Sequence, residues 1–476
     1  MARAVVRIDR LGRAGMGIGT LGDGRTVAVP KTLPGEEIEA DTWVDRRGRV
    51  RGRLVRVLRA AAGRVPAPCE HFAACGGCQL QHLAYPEQLA HKRAVLVRHL
   101  ARTLGPEAEA LVAAVEPAPR VLGYRNRNLF RLAEGRLGLG AATGQGMVGL
   151  EECPLAVAGT GDLTAAVTEW LAAEGRSWRP RLRGVLVRVQ ERARMVTLLA
   201  RVAGGSPRWG ELVAECGSEP ERGRLAALAA RLPEVSLHLA AGGDGTVLVA
   251  GGDSAHLAGP ERISAQLGLA RLSLGPRSFV QVNTEVSDRL YTAVAEALAP
   301  MPQDVVLDLF CGSGALAQHL AARGAGVYAV DMDHRALADA RAGAVLAGTD
   351  RIEWRAGRAE TIARRLWQAG RRHRLATVNP PRSGMPRDLP PWLPRLGVAR
   401  LVYVSCSPPT LARDLAVLRE LGYRLERCVP FDQFAQTYHL EVVAVLAHEQ
   451  PAARMRSVVM PWRANVPQES GASARG

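Results

Sequence analysis

The sequence predicts an α/β fold: a doubly wound, Rossmann-like parallel sheet in the C-terminal part, an OB-like β-barrel at the N-terminus, and an α+β central domain between them. Three observations carry this. From VVLDLFC onward, continuous apolar runs such as VYAVDMD and RLVYVSC alternate with helix-length stretches, as strands buried on both faces of a parallel sheet do. The first sixty residues hold only short strand-like runs between glycine-rich turns, which suits a small barrel. From about 115 to 260, strand-like runs are interspersed with one or two alanine-rich helical stretches.

At roughly 100–200 residues per domain, a chain of 476 residues holds several domains and excludes a single small binding module. Its 47% hydrophobic and 23% charged residues are those of a folded globular protein. The formal net charge of +16 points to a polyanionic partner, nucleic acid first. Almost all of the base is arginine, with lysine only at 31 and 92, so coding bias accounts for part of the excess. No apolar run reaches the roughly 18 residues of a spanning helix. The first ten residues are broken by Arg3, Arg7, Asp9 and Arg10, which is no signal core. A cytoplasmic protein with no membrane association and no obligate protein partner is expected. In that reducing setting, clustered cysteines read as metal ligands or nucleophiles.

Taken in order, residues 1–60 form the barrel from AVVRIDRL, TVAVP, EIEADTW and RGRLVRVL. This stretch carries 13 Lys/Arg against 7 Asp/Glu, with seven arginines from Arg46 to Arg59 on its last two strands. Such a basic face suits phosphate tracking and base stacking, or is simply a solvated surface. Residues 61–261 form the central domain. It contains a cysteine cluster at 69–78, a helix from Tyr85 to Leu104, and the runs NLFRLAEGRLGLG, GVLVRVQ, MVTLLARV, VSLHLAA and GTVLVAGG. Residues 262–448 form the doubly wound domain, closed by YRLERCVPFDQF and YHLEVVAVLAH as an antiparallel pair. The tail, 449–476, has no periodic pattern and is expected to lack order.

Chemistry concentrates at the strand ends of the last domain. LDLFCGSGAL joins an apolar strand to a helix, so Gly312 and Gly314 permit a tight turn that brings backbone to a ligand at the helix start. Asp331 ends the next strand, where a carboxylate can accept from ribose hydroxyls. With no third glycine in register, the turn fits an adenosylmethionine site better than a dinucleotide site. Asn379 and Cys406 fall at the ends of the fourth and fifth strands, the edge where open α/β sheets bind ligands. Cys406 is either a nucleophile with a lowered pKa or a small buried hydrophobe. The NPP string also occurs in adenine-N6 methyltransferases, but Arg382 stands where those enzymes carry an aromatic residue, and their chemistry needs no cysteine. In the cluster CEHFAACGGC, Cys69, Cys75 and Cys78 lie within ten residues. Together with a remote thiolate they can hold an iron–sulfur cluster or zinc, with His71 a spare ligand for the latter. Cys216, Cys311 and Cys428 read as packing residues.

The strings SFVQVNTEVSDRLY, LDLFCGSG, NPPRSG, SCSPPTLARDL and QTYHLE, in this order between Ser278 and Glu441, resemble the RNA uracil-5-methyltransferase family. The barrel and the pattern Cys69-x5-Cys75-x2-Cys78 with distant Cys153 resemble its bacterial 23S ribosomal RNA branch, which has a TRAM domain and an iron–sulfur cluster. The resemblance implies S-adenosyl-L-methionine as methyl donor, held by Gln281, Phe310, Asp331 and Asn379. It implies Cys406 as the nucleophile that adds to uracil C6 and Glu441 as the base that removes the C5 proton. It also implies a 4Fe-4S cluster on Cys69, Cys75, Cys78 and Cys153, with zinc as the alternative. The RNA partner it implies is ribosomal, with transfer RNA as the other candidate. The chain departs from the family pattern at Asn379, where aspartate is usual, and at Ser407, Ala315 and Asp331, where the family more often has Asn, Asn and Glu. An amide at 379 keeps an acceptor but loses the charge. These departures leave a second hypothesis, a non-catalytic RNA-binding or ribosome-assembly factor on the same scaffold.

Overall fold

A computed structural model describes residues 2–12, 14–202, 206–242 and 253–449. The first sixty residues alternate buried and exposed positions along five strands: β1 (Ala2–Leu11), β2 (Met16–Thr20), β3 (Thr26–Pro30), β4 (Glu37–Val44) and β5 (Val50–Arg59). They close into a barrel of order β1-β2-β3-β5-β4 around Val6, Ile8, Val27, Val29 and Ile38. The barrel is less basic in effect than its arginine count. Arg49 and Arg51 pair with Asp45, Arg3 and Arg53 with Asp41, and Arg56 with Glu39. Cross-strand register sets the Asp41 and Glu39 pairs and the β4–β5 turn sets those of Asp45, which leaves Arg46, Arg47 and Arg59 among the exposed arginines of this edge.

Helix α1 (Tyr85–Leu104) spans the predicted residues, with Pro86 in its first turn, and is followed by the short α2 (Ala108–Leu111). A seven-stranded sheet comes next, in the order β12-β11-β10-β9-β6-β7-β8. Its strands are β6 (Arg127–Ala133), β7 (Arg136–Gly140), β8 (Met147–Gly149), β9 (Leu182–Gln190), β10 (Ala193–Ala200), β11 (Ser236–Ala241) and β12 (Ser254–Ala258). Three helices accompany it where one or two were expected: α3 (Thr160–Ala172), α4 (Pro207–Cys216) and α5 (Glu219–Arg231). The run GTVLVAGG and the tail from Gln450 lie outside the described residues.

The strand–helix alternation begins later than Arg262. A hairpin of β13 (Ile263–Leu267) and β14 (Ala270–Leu274) comes first, then α6 (Thr284–Leu298), capped by the Asn283 side chain, which accepts from the Val286 amide at 3.3 Å. The main sheet has the order β17-β16-β15-β18-β19-β21-β20. It is built from β15 (Val305–Leu309), α7 (Ala315–Ala322), β16 (Gly326–Asp331), α8 (His334–Leu346), β17 (Ile352–Ala356), α9 (Ala359–Gln368), β18 (Leu375–Val378), α10 (Trp392–Arg395), β19 (Arg400–Ser405), α11 (Pro408–Glu420), β20 (Tyr423–Phe431) and β21 (Glu441–His448). The first five strands of this sheet are parallel, and β21 runs antiparallel to both β19 and β20. Strand alternation sends Val306, Val327, Val402 and Val443 to one face, against α6, α7 and the hairpin, and Leu307, Val330, Tyr403 and Val442 to the other. Leu96 and Leu100 of α1 pack into this second core. The helix assigned above to the central domain is thus joined physically to the C-terminal sheet. Among the described residues no helix is long and apolar enough to cross a membrane.

Candidate active site and cysteine cavity

The carboxyl ends of β15, β16, β18 and β19 share one edge of the sheet, and four of the predicted site residues lie there. After β15 the backbone turns through positive φ at Phe310 (65°), Gly312 (53°) and Gly314 (77°). Phe310 is the costly one, since side chains disfavour that region. A Cβ on Gly314 would lie 2.5 Å from the Trp354 ring and 2.9 Å from Ala340 Cβ, whereas one on Gly312 would meet nothing within 4 Å. The turn is therefore packed on one side and open on the other. Asp331, at the end of β16, accepts from the Gly312 amide at 2.8 Å and the Asp333 amide at 2.9 Å. Burial raises its pKa. Asn379 follows β18, half-buried, its backbone N–H donating to the Leu309 carbonyl at 3.2 Å. Gln281 is buried in the segment before α6, and its Oε1 accepts from Gln433 at 3.4 Å.

Cys406 follows β19 directly, and Glu441 opens β21. The last ladder pair between these strands is Ser405 with Val442, so the next position sets the thiol beside the carboxyl. Glu441 is 4% exposed. Burial pushes its carboxyl up to about 8, opposed by the Arg382 guanidinium. Burial also pushes the Cys406 thiol up to about 11, and the nearby Glu441 adds to the rise while Arg382 lowers it. The structure brings in two residues to which sequence reasoning gave no role, Arg382 from NPPRSG and His439 from QTYHLE, with Arg382 Nη2 3.5 Å from His439 Nδ1. His439 is held down to about 4 by burial and by the charges of Arg382, Lys92 and Arg125. Tyr438 and Phe434 lie 4.2 and 5.7 Å from its ring. Both new residues sit inside strings already singled out. Only the fold shows that the two strings meet.

Cys69, Cys75, Cys78 and Cys153 line one cavity of about 140 Å³, together with Phe72, Gln81 and Arg125. The Gly77 amide donates to Cys75 Sγ at 3.3 Å, and the Cys69 amide to Gln81 Oε1 at 3.1 Å. Burial pushes the Cys78 thiol up to about 12; a hydrogen bond from Gln81 opposes this, and the other three cysteines add to it. Among the described residues, no three His, Cys, Asp or Glu side chains are arranged to hold a single metal ion. Cys428 is buried in the core and Cys216 donates to the Leu212 carbonyl at 3.2 Å. Cys311 packs partly buried beside the turn.

A glycine turn, an acid at the end of the next strand, and a half-buried thiol next to a buried carboxyl, all at the ligand edge of a doubly wound sheet, make this a methyltransferase fold with a candidate site at its carboxyl edge. Residues 272–449 match the family model described as tRNA (Uracil-5-)-methyltransferase. An uncharacterized RNA methyltransferase of Gloeobacter violaceus is 32% identical over 465 residues, covering 93% of this chain and 95% of that one. Another from Listeria innocua is 30% identical over 446 residues, covering 92% and 96%. The crystal structure of the Pyrococcus abyssi tRNA (uracil-54, C5)-methyltransferase, in complex with S-adenosyl-L-homocysteine, superposes with a TM-score of 0.71 at 24% identity, over 94% of this chain and 100% of that one. The chain belongs to the RNA (uracil-5-)-methyltransferase family. It is an enzyme that methylates uracil C5 in RNA with adenosylmethionine as donor.

Proposed function

We propose that this enzyme methylates a uridine of 23S ribosomal RNA, with Cys406 as nucleophile and Glu441 as general base. The observation that carries the assignment is the adjacency of the Cys406 thiol and the Glu441 carboxyl beside Arg382. Uracil C5 is too weak a nucleophile to take a methyl group unaided. The Cys406 thiolate, favoured by the Arg382 guanidinium, bonds to C6, and the C5–C6 π pair moves into an enolate that makes C5 reactive. Adenosylmethionine, when bound, supplies a methyl group on a sulfonium leaving group. Glu441 then takes the C5 proton, the double bond reforms, and the Cys406 sulfur leaves with its electron pair. Gln281, Phe310, Asp331 and Asn379 hold the donor. Gly312, open on its ligand side, lets the donor approach the backbone closely, and the neutral Asn379 contributes a donor and an acceptor without charge.

The four-cysteine cavity fits a 4Fe-4S cluster. Thiolates from two separate segments of the chain meet in one cavity, as a polynuclear core needs; zinc, which takes the same four sulfurs at about 2.3 Å, is the alternative. A cluster core holds its thiolates farther apart. The burial that raises the Cys78 thiol is offset once it ligates iron as thiolate.

Ribosomal RNA is supported by the coexistence of the barrel and the cysteine cavity in one chain. The barrel's exposed Trp43, Arg46 and Arg47 offer a stacking surface next to phosphate contacts. The target uridine must swing out of its stack to reach Cys406. Transfer RNA is the second reading, favoured by the family model and the Pyrococcus enzyme. Mapping 5-methyluridine in both RNAs from cells with and without the protein tests it. Loss of a ribosomal 5-methyluridine is expected, and loss confined to transfer RNA overturns the ribosomal assignment.

A further inference from the structure

Nine residues, 432–440, connect β20 to β21 and lead through His439 into Glu441, the first residue of β21. We propose that Lys92, on α1, is a positioning residue for the reaction: its buried ion pair with Asp432 locks this connection so that Glu441 stands where it can take the C5 proton. The inference rests on the catalytic reading given above and adds to it a residue some 340 positions away in the chain.

Lys92 is 2% exposed and Asp432 is fully buried. The Lys92 ammonium donates to one carboxylate oxygen of Asp432 and, at 3.2 Å, to the Phe434 carbonyl. The other Asp432 oxygen accepts from the Tyr85 hydroxyl at 2.8 Å, and that hydroxyl itself accepts from the Ala118 amide at 2.8 Å. The pair is therefore paired and hydrogen-bonded on both sides, the condition under which buried charges are tolerated and set a geometry. Farther along, Gln436 holds φ at 68°, a conformation that costs energy unless its surroundings impose it. Its carbonyl accepts from the Gln79 and Leu80 amides at 3.1 and 3.0 Å, and its side chain from Gln88 at 3.0 Å. One side of the connection is thus fastened by α1 and by the two residues that follow Cys78.

Composition singles out Lys92 as well. Lysine occurs at only two positions against a background of arginine, and a guanidinium is too broad for a closed site that fits a compact ammonium. The other lysine, Lys31, also caps carbonyls next to the cysteines, donating to Phe72 and Ala73.

The test separates loss of the base from loss of the fold. RNA carrying 5-fluorouridine at the target position forms the Cys406 adduct and accepts methyl, but it has no C5 proton to surrender, so the adduct persists without any action by Glu441. Lys92→Met is expected to form this fluorouridine adduct at close to the wild-type rate. On uridine RNA it should release product about a hundredfold more slowly, as a misplacement of about 1 Å costs, and accumulate methylated protein–RNA adduct on a denaturing gel. Lys92→Met/Asp432→Asn removes both charges, escapes the cost of one buried unpaired charge, and is expected to melt near wild type while still stalling at the adduct. Equal loss on both RNAs in the double variant, or wild-type release from uridine RNA in either variant, overturns the positioning role. Absence of a fluorouridine adduct with wild-type enzyme overturns the Cys406 mechanism itself, and the inference with it.

Discussion

Cys406 and Glu441 stand side by side at the edge of the sheet, one position beyond the Ser405–Val442 pair that ends the β19–β21 ladder. Burial raises both pKa values, to about 11 and about 8, and Arg382 is the charge that opposes both shifts. At neutral pH the free enzyme therefore holds Cys406 as thiol and Glu441 largely as acid. That neutral pair costs less to bury than two anions.

In the mechanism proposed above the two groups act at different steps, so their loss should leave different products. Cys406→Ala is expected to abolish methylation and any protein–RNA adduct. Glu441→Gln should still add to C6 and transfer methyl, then stall, with turnover falling about 10²–10⁴-fold and a covalent methylated adduct visible as a shifted band. A Glu441→Gln enzyme that turns over without adduct removes Glu441 from the base role.

Both ionisations give the rate the same pH dependence. Methyl transfer in a single turnover should climb with pH as the Cys406 thiolate becomes available, and release of free methylated RNA should climb from pH 6.5 to pH 9 as Glu441 ionises through about 8, with no acidic optimum. Stability moves the opposite way. The folded-state pKa of Glu441 lies above its value of 4.5 in an unfolded chain, so the stabilisation from its bound proton is fully present below about 4.5 and is lost as pH rises through about 8. Glu441→Gln removes that contribution, and its melting temperature should gain on wild type between pH 5 and pH 8.5. A residual slope remains from Asp308, which burial pushes up to about 7 by the same logic. Parallel melting curves across that range would count against a buried, protonated Glu441.

Local signals in the sequence were enough for much of this fold. The barrel followed from short runs between glycine turns, and Tyr85–Leu104 from its unbroken helical length. Helix α6 was also legible, through Asn283 as cap and Val286, Leu290 and Val294 at helical spacing, yet the string SFVQVNTEVSDRLY drew attention as a motif and not as an element. Long-range pairings were hidden. Nothing near Lys92 in the chain indicates Asp432, and nothing in RGRLVRVLR shows that register sets its arginines against Asp41 and Glu39. Arg382 and His439 belong to the same class, residues in two separate strings that the β18–β19 and β19–β21 pairings bring together.

The glycine turn makes a prediction in which two similar substitutions behave differently. Gly314→Ala forces a methyl group into the Trp354 ring and Ala340 at a φ of 77°, so it should destabilise by about 1–3 kcal/mol or more, as overpacking does. Gly312→Ala opens into free space and incurs only the backbone cost of positive φ, about 1–2 kcal/mol. With the donor held at this turn as proposed, the methyl group would stand in its way, so adenosylmethionine affinity measured by calorimetry should fall at least tenfold while folding is largely kept. Tight donor binding by Gly312→Ala would move the cofactor away from this turn.

The cysteine cavity predicts both a colour and a mechanical link. Anaerobically purified protein should be brown, with the broad visible absorption of an iron–sulfur cluster and about four irons per chain; a colourless, zinc-loaded protein would reject that assignment. Cys78 precedes the Gln79 and Leu80 amides that hold the Gln436 carbonyl, so its ligation bears on the connection that carries Glu441. Cys78→Ser should bleach the absorption and lower the melting temperature by several degrees, as loss of a structural metal site does. On uridine RNA the surviving folded fraction should accumulate adduct relative to free product, in the manner of Glu441→Gln though to a smaller extent. Bleached protein that keeps the wild-type ratio of adduct to product would confine the cluster to stability and leave the base positioned by α1 alone.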